Sequence, residues 1–205
     1  MSKKLLLATR NQGKIEEFRR ILESVAPGEI ELVGLDQFPD THDVEESGTT
    51  FAENSLLKAR EMSLATGLPA IADDSGLCVN ALGGDPGIFS ARWAGEHGND
   101  QANLEKVLHQ LQDVPEKDRT AYFICVATLY LPNGEKFSVE GRFNGVILRA
   151  PRGTNGFGYD PIFRPDGFKI SSAEMSAHEK DAVSHRGKAL REIAPIVISA
   201  LKAQA

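Results

Sequence analysis

Basic charge, cysteine and long apolar runs are all scarce in this chain. Lys and Arg number 23 against 29 Asp and Glu, for a formal net charge of −6 and a pI near 5.4. A general nucleic-acid or anionic-membrane binder needs a broad basic surface, so both classes are disfavoured, while a local basic pocket remains open. Cys78 and Cys125 are the only 2 cysteines. They lie far apart in segments that read as interior structure, which suggests neither a CxxC metal site nor a disulfide framework but two buried thiols. After Lys3-Lys4 the uninterrupted apolar run covers only Leu5 to Ala8. That is too short for a signal-peptide core or a membrane span, and a soluble cytoplasmic protein is expected. No histidine group stands at metal-ligand spacing, so zinc is disfavoured. The G-x-S-x-G of a serine hydrolase and the glycines and terminal Lys-Ser/Thr of a Walker A loop are missing as well.

What is present suits an ordinary globular protein: 205 residues, 41% hydrophobic and 25% charged, enough for one domain across residues 1–205 with a sizeable core. Lys3 to Ala8 reads as a short buried strand, and from Lys14 the residues Ile15, Phe18, Ile21, Leu22 and Val25 recur at helical spacing. A second strand is expected at Ile30 to Leu35. Thr50-Phe51-Ala52-Glu53 fits a capping box opening a helix that ends at Gly67. Pro69 to Asp73 reads as a strand ending in an Asp73-Asp74-Ser75-Gly76 turn, and Asp100 to Leu111 as a helix. Ala121 to Leu131 and Phe137 to Leu148 form an antiparallel pair turned by Pro132-Asn133-Gly134-Glu135. A last helix starts near Ser184 and should kink at Pro195. Strands interleaved with helices, plus one hairpin, predict an α/β domain around a mixed sheet.

Thr9-x-Asn11-x-x-Lys14 lies where a strand hands over to a helix, so helix-start amides, two polar side chains and an ammonium can converge on a phosphate. The same residues also suit a helix cap beside a solvated lysine. Asp73-Asp74-Ser75-Gly76 stands at the expected ligand edge of the sheet. There one carboxylate can serve a hard metal while Ser75 offers a hydroxyl to phosphate, although this is also a common loop composition. Glu45 and Glu46 are a further source of a metal carboxylate. Phe157-Gly158-Tyr159-Asp160 combines aromatic faces with an acceptor, a composition suited to a base, or to plugging the core. Lys180, Ser184, His185 and Arg186 cluster at a helix start, where an anion is favoured.

Five segments together, Thr9 to Lys14, Glu45 to Asn54, Ile71 to Leu77, Phe157 to Pro161 and Ser184 to Gly187, closely resemble the non-canonical purine nucleoside triphosphate pyrophosphatase family, also called inosine triphosphate pyrophosphatases. The resemblance implies a homodimeric α/β protein with a long mixed β-sheet, flanking helices and two lobes around an active-site groove. It implies that Thr9, Arg10, Asn11, Gln12, Gly13 and Lys14 hold the triphosphate and that Glu45 and Asp74 hold magnesium. Asp74 would also be the catalytic base and Ser75 a substrate contact. Phe157, Gly158, Tyr159, Asp160, Lys180, His185 and Arg186 would complete the pocket for base and phosphates, with His185 and Arg186 the candidates facing purine position 2. The expected reaction is hydrolysis of ITP, dITP and XTP to the monophosphate and pyrophosphate. A nucleotide sensor that does not cleave, or a relative acting on modified pyrimidine triphosphates, are the alternatives.

Overall fold

The computed structural model describes residues 3–203. Its sheet has six strands in the order β2-β1-β3-β4-β5-β6. The strands are β1 (Lys3–Leu7), β2 (Ile30–Gly34), β3 (Ala70–Val79), β4 (Thr120–Tyr130), β5 (Lys136–Ile147) and β6 (Phe163–Pro165). β1 runs parallel to β2 and β3, whereas β5 and β6 are antiparallel, so the sheet is mixed as expected. The helices are α1 (Gln12–Val25), α2 (Phe51–Thr66), α3 (Asp100–Gln110), α4 (Ala177–Val183) and α5 (His185–Ala203). The chain divides into two compact units, one of residues 1–74, 125–141 and 186–205, the other of 75–124 and 142–185.

In the first unit, side-chain alternation along a strand decides what meets what. Leu5 and Leu7 of β1 and Ile71 of β3 pack with Phe18, Ile21 and Leu22 of α1 and with Leu190, Ile193 and Val197 of α5. Leu6, Ala8, Ala70 and Ala72 point the other way, into a core with Ala59 and Met62 of α2. Both faces are covered, which is why Leu5-Leu6-Leu7 is apolar without a break. The helix starts match their signals. Asn11 caps α1 by accepting from the Lys14 amide at 3.0 Å. Thr50 and Glu53 form the reciprocal capping box of α2, which closes at Gly67.

The second unit has its own core, in which Leu77, Val79, Phe123, Phe143 and Phe163 pack with Leu104, Val107 and Leu111 of the α3 segment. The buried Arg119 ties that segment down. Its guanidinium donates to the carbonyls of Leu111 (2.5 Å), Ile147 (2.9 Å) and Leu148 (2.9 Å).

Two expectations are corrected. Asp73-Asp74-Ser75-Gly76 is no turn at a strand end, because β3 continues through it to Val79; the buried Leu77, Cys78 and Val79 beyond it supply the apolar anchor that keeps the chain extended. The segment before the last helix holds the separate short α4, opened by a capping box of Ser176 and Glu179. The last helix begins at His185, as expected, and carries Pro195 within it.

Candidate active site

Because β3 stays extended across its two acids, Asp73 and Asp74 fall on opposite faces of the sheet. Asp73 takes the face of Ile71 and meets the α1 and α5 side. Its Oδ1 lies 3.0 Å from Lys14 Nζ, and its Oδ2 accepts from Arg186 Nη2 at 3.1 Å and Nε at 3.4 Å. Arg186 Nη1 also donates to Glu17 of α1. Burial pulls the Arg186 pKa down, but the carboxylates of Asp73 and Glu17 outweigh it and hold the guanidinium above its ordinary value. Cys125 sits beneath with its Sγ 3.8 Å from Asp73, and burial followed by the Asp73 charge pushes the thiol up, so it is inert. Both cysteines are buried and outside any disulfide.

Asp74 takes the face of Ala72 and meets α2. Its Oδ2 accepts from Asn54 Nδ2 at 3.2 Å, and its Oδ1 lies 3.4 Å from Lys58 Nζ. Lys58 in turn donates to Glu46 at 2.5 Å. Burial raises the Asp74 pKa, and the neighbouring Lys58 and Lys14 only partly counter it. A carboxylate whose charged form is disfavoured in this way is a better proton acceptor than an exposed aspartate. For Lys58 the balance runs oppositely: burial lowers its pKa, but Asp74, Glu46 and Asp73 more than offset that.

The ammonium of Lys58 therefore lies between two hard oxygen donors, Glu46 and Asp74. Among the described residues no group of three or more His, Cys, Asp or Glu is placed to hold a metal by itself. Two carboxylates completed by substrate phosphates and water are the donor set magnesium prefers, so these residues fit it. Glu45, the glutamate expected at the metal, is exposed, and it is Glu46 that reaches this cluster.

At the junction of β1 and α1, Thr9 Oγ1 accepts from the Asn11 amide at 3.2 Å. The first-turn amides of Gln12 and Gly13 have no carbonyl to reach within the helix and point out along its axis. Lys14 is not a solvated lysine, since its side chain is only 15% exposed against Asp73. Arg10 turns away to Asp43 (2.8 Å) and the Thr41 carbonyl (3.0 Å), bracing the loop that leads to Glu46.

The second unit holds the aromatic loop. Asp160 Oδ2 accepts from the Phe157 amide at 3.0 Å and from Lys180 Nζ at 2.5 Å, and Lys180 lies 5.2 Å from the Phe157 ring centroid. Gly156 has φ +74°, and a Cβ there would stand 2.1 Å from the Asp160 carboxylate, so only glycine lets the loop close over this pair. Asp100, in the first turn of α3, accepts from the Gly158 amide at 2.8 Å. Tyr159 is buried, and its hydroxyl donates to the Ser90 carbonyl at 2.8 Å. Phe157 is thus the half-buried aromatic of the loop, and Tyr159 is its anchor in the core. His185 stacks on Phe123 with centroids 4.9 Å apart and planes 11° apart. Ser75 is half-buried, while Ser184 is enclosed and caps the end of α4.

The family model that matches this chain is described as Ham1 family and covers residues 5–196. The chain belongs to the Ham1 family. The matched span takes in every candidate residue in both units. A dITP/XTP pyrophosphatase of Streptomyces avermitilis is 57% identical over 194 residues, covering 95% of this chain and 96% of that one. Among solved structures, a HAM1 protein from Coxiella burnetii superposes with TM-score 0.85 at 40% identity, covering 97% of this chain and 100% of that one. The nucleoside-triphosphatase, or dITP/XTP pyrophosphatase, of Mycobacterium abscessus gives TM-score 0.75 at 50% identity over 94% of this Ham1-family chain and 99% of that one.

Sequence reasoning left Asn54, Lys58 and Glu17 without a role at the site. A usable signal existed: Asn54 and Lys58 are four apart on α2, and Glu17 follows Lys14 by three on α1, so each pair shares a helix face.

Proposed function

We propose that this Ham1-family chain hydrolyses non-canonical purine nucleoside triphosphates, dITP, ITP and XTP, to the monophosphate and pyrophosphate, with magnesium. The observation that carries the reading is the buried Asp74 carboxylate, its pKa raised by burial, opposite Lys58 and Glu46 in the unit that also holds the Thr9 to Lys14 anion-binding turn. The names of its relatives support the choice of substrate.

The chemistry follows from these residues. Gln12 and Gly13 amides and the Thr9 and Asn11 side chains bind phosphate oxygens, and Lys14 offsets their charge. Glu46 and Asp74 would hold the metal, which would supply charge neutralisation for the phosphates and acidification of a water. Water oxygen attacks the α-phosphorus in line as the bond to the α–β bridging oxygen breaks, so pyrophosphate leaves with that oxygen. Asp74 accepts the proton lost by the attacking water. Phe157 stacks on the base, which supplies affinity rather than selectivity. Selectivity comes from donors facing O6, which reject the amino group of adenine, and from a donor near position 2, which leaves the amine of guanine facing another donor. His185 remains the candidate for that position; Arg186 is committed to Asp73 and Glu17. A homodimer in the cytoplasm completes the proposal, on the strength of the family resemblance; among the described residues no helix is long and apolar enough to cross a membrane.

Pyrophosphate release from ITP, dITP, XTP, GTP and ATP in magnesium tests the reading. kcat/KM for ITP and XTP should exceed that for GTP and ATP by about 100-fold or more. Equal rates on all five would overturn it.

A further inference from the structure

Asn54 stands out among the residues around Asp74 because it is wholly enclosed and each end of its amide is used. Its Oδ1 accepts from the Gly48 backbone amide at 2.8 Å, and its Nδ2 donates to Asp74 Oδ2 at 3.2 Å. The chemistry of the partners leaves one orientation: a backbone N–H requires the oxygen, and a carboxylate requires the nitrogen. One turn further along α2, Lys58 addresses the other oxygen of the same carboxylate at 3.4 Å. Between them Ser55 donates to the Ala72 carbonyl at 3.2 Å, docking this stretch of α2 onto β3. A helix face with residues at i and i+4 thus reaches both oxygens of one aspartate, so the plane of the carboxylate is set.

The other side of Asn54 is as tight. A Cβ on Gly48 would stand 2.6 Å from Asn54 Oδ1 and 2.7 Å from Glu53 Cβ, so the acidic loop approaches α2 closer than any side chain at that position permits. Glu46 lies two residues before Gly48 on that loop. One amide therefore ties down the loop bearing Glu46 and the strand bearing Asp74.

We infer that Asn54 is a positioning residue for hydrolysis: it fixes the spacing of the Glu46 loop from Asp74 and turns the Asp74 carboxylate toward the reacting water. It touches neither substrate nor metal. The inference rests on the pyrophosphatase reading above. Substrate affinity comes from other residues, so loss of Asn54 should slow turnover without weakening binding. Misplacement of reacting groups by about 1 Å commonly lowers rates about 100-fold.

The experiment compares wild type with Asn54→Asp, Asn54→Ala and Gly48→Ala. Asn54→Asp keeps an acceptor for the Gly48 amide but faces Asp74 with an oxygen. Gly48→Ala leaves both side chains intact and pushes the loop away. Each is assayed for kcat and KM on ITP in magnesium, for melting temperature, and for the stoichiometry and affinity of IMP by calorimetry, which counts competent sites independently of turnover. The expected result is a loss of about 100-fold in kcat for both Asn54 variants and at least about tenfold for Gly48→Ala. KM should stay within about threefold, with IMP stoichiometry unchanged. Wild-type kcat in folded Asn54→Asp and Gly48→Ala overturns the inference. So does a fall in IMP stoichiometry that matches the fall in kcat, or failure of both Asn54 variants to fold, since either assigns the residue to the fold alone. An inactive wild type would instead remove the pyrophosphatase reading, which keeps the two failures apart.

Discussion

The carboxylate cluster of the first unit and the aromatic loop of the second both bury aspartate against lysine, yet the pairs are built differently. In the second unit Asp160 and Lys180 stand 2.5 Å apart, and the same carboxylate oxygen also receives the Phe157 amide. Asp73 in the first unit is likewise closely paired with cations, a lysine 3.0 Å from one oxygen and an arginine 3.1 Å from the other. Asp74 is held only by longer contacts, 3.2 Å to Asn54 and 3.4 Å to Lys58, and its charged form remains disfavoured. A buried charge is therefore not by itself a sign of chemistry. Closely paired charges hold structure, because removing one partner leaves the other less compensated, whereas a loosely held carboxylate can still take a proton.

The most complete way to break that contrast is to remove the metal. Excess EDTA should abolish pyrophosphate release and leave IMP binding in place, and calcium should restore turnover poorly, because it accepts looser geometry and longer bonds. Undiminished activity in EDTA would take Glu46 and Asp74 out of metal binding. Next in size is Asp74→Asn, expected to cost at least about 100-fold in kcat, with the melting temperature unchanged or higher because burial opposes the charge it removes. A folded variant that turns over at the wild-type rate would show that Asp74 is not the base.

Asp73→Asn and Asp160→Asn should do the reverse. Each removes a close carboxylate from a buried cation, Arg186 in one case and Lys180 in the other, and a loss of about 3–5 kcal/mol in urea unfolding is expected. If either is as stable as Asp74→Asn, the distinction between close and loose pairs fails. A smaller effect is expected at Asp100, which touches the aromatic loop through one hydrogen bond to Gly158. Asp100→Ala should raise KM for ITP by about fivefold, equivalent to about 1 kcal/mol, with kcat kept and with Asp100→Asn restoring most of the loss.

The smallest effect concerns the three capping glutamates, Glu53, Glu174 and Glu179. Hydrogen bonds from Thr49 to Glu53, from Ser171 to Glu174 and from Ser176 to Glu179 hold each below the ordinary 4.5. The folded chain then binds fewer protons than the unfolded chain just below that value, so stability rises with pH there. Their contribution is present above the ordinary value and fades as pH falls through the lowered one. Replacing all three with Gln should flatten the acid limb of a melting-temperature profile and leave turnover at neutral pH alone.

Much of this architecture could be read from residues alone where local chemistry decides it. The Thr50 and Glu53 capping box, the Gly67 stop and the alternating strand before Leu148 are local signals, and each element stands within a residue or two of its expected bounds. The sequence pattern ends β3 early because Asp73, Asp74 and Ser75 interrupt an apolar strand. Polar residues inside a strand contradict its pattern where they serve a site rather than the fold. α4 was missed although Ser176 and Glu179 carry the same box as Thr50 and Glu53, since seven residues are too few for a visible apolar period.

At the site, Lys14 is legible as a cation in the first turn of α1 and Asp74 as the acid next to Asp73. The pairing of Asp160 with Lys180 and the engagement of Arg186 by Asp73 and Glu17 are not, because they join residues far apart in the chain. Tyr159 illustrates the same limit. Its composition suits a base or a core equally, and only its burial and its bond to Ser90 decide for the core.

The division of labour between Asp73 and Asp74 depends on nothing but whether a position along β3 is odd or even. One residue inserted between Ala70 and Asp73 would hand each acid to the other's partners, giving Lys14 and Arg186 the aspartate meant for Asn54 and Lys58, even if every side chain were kept. Two inserted residues would restore the sides and shift the acids along the strand by one full pleat. This stretch should therefore tolerate substitution at Ala70 and Ala72 far better than any change in length, and a series of single and double insertions would read that counting rule directly from turnover.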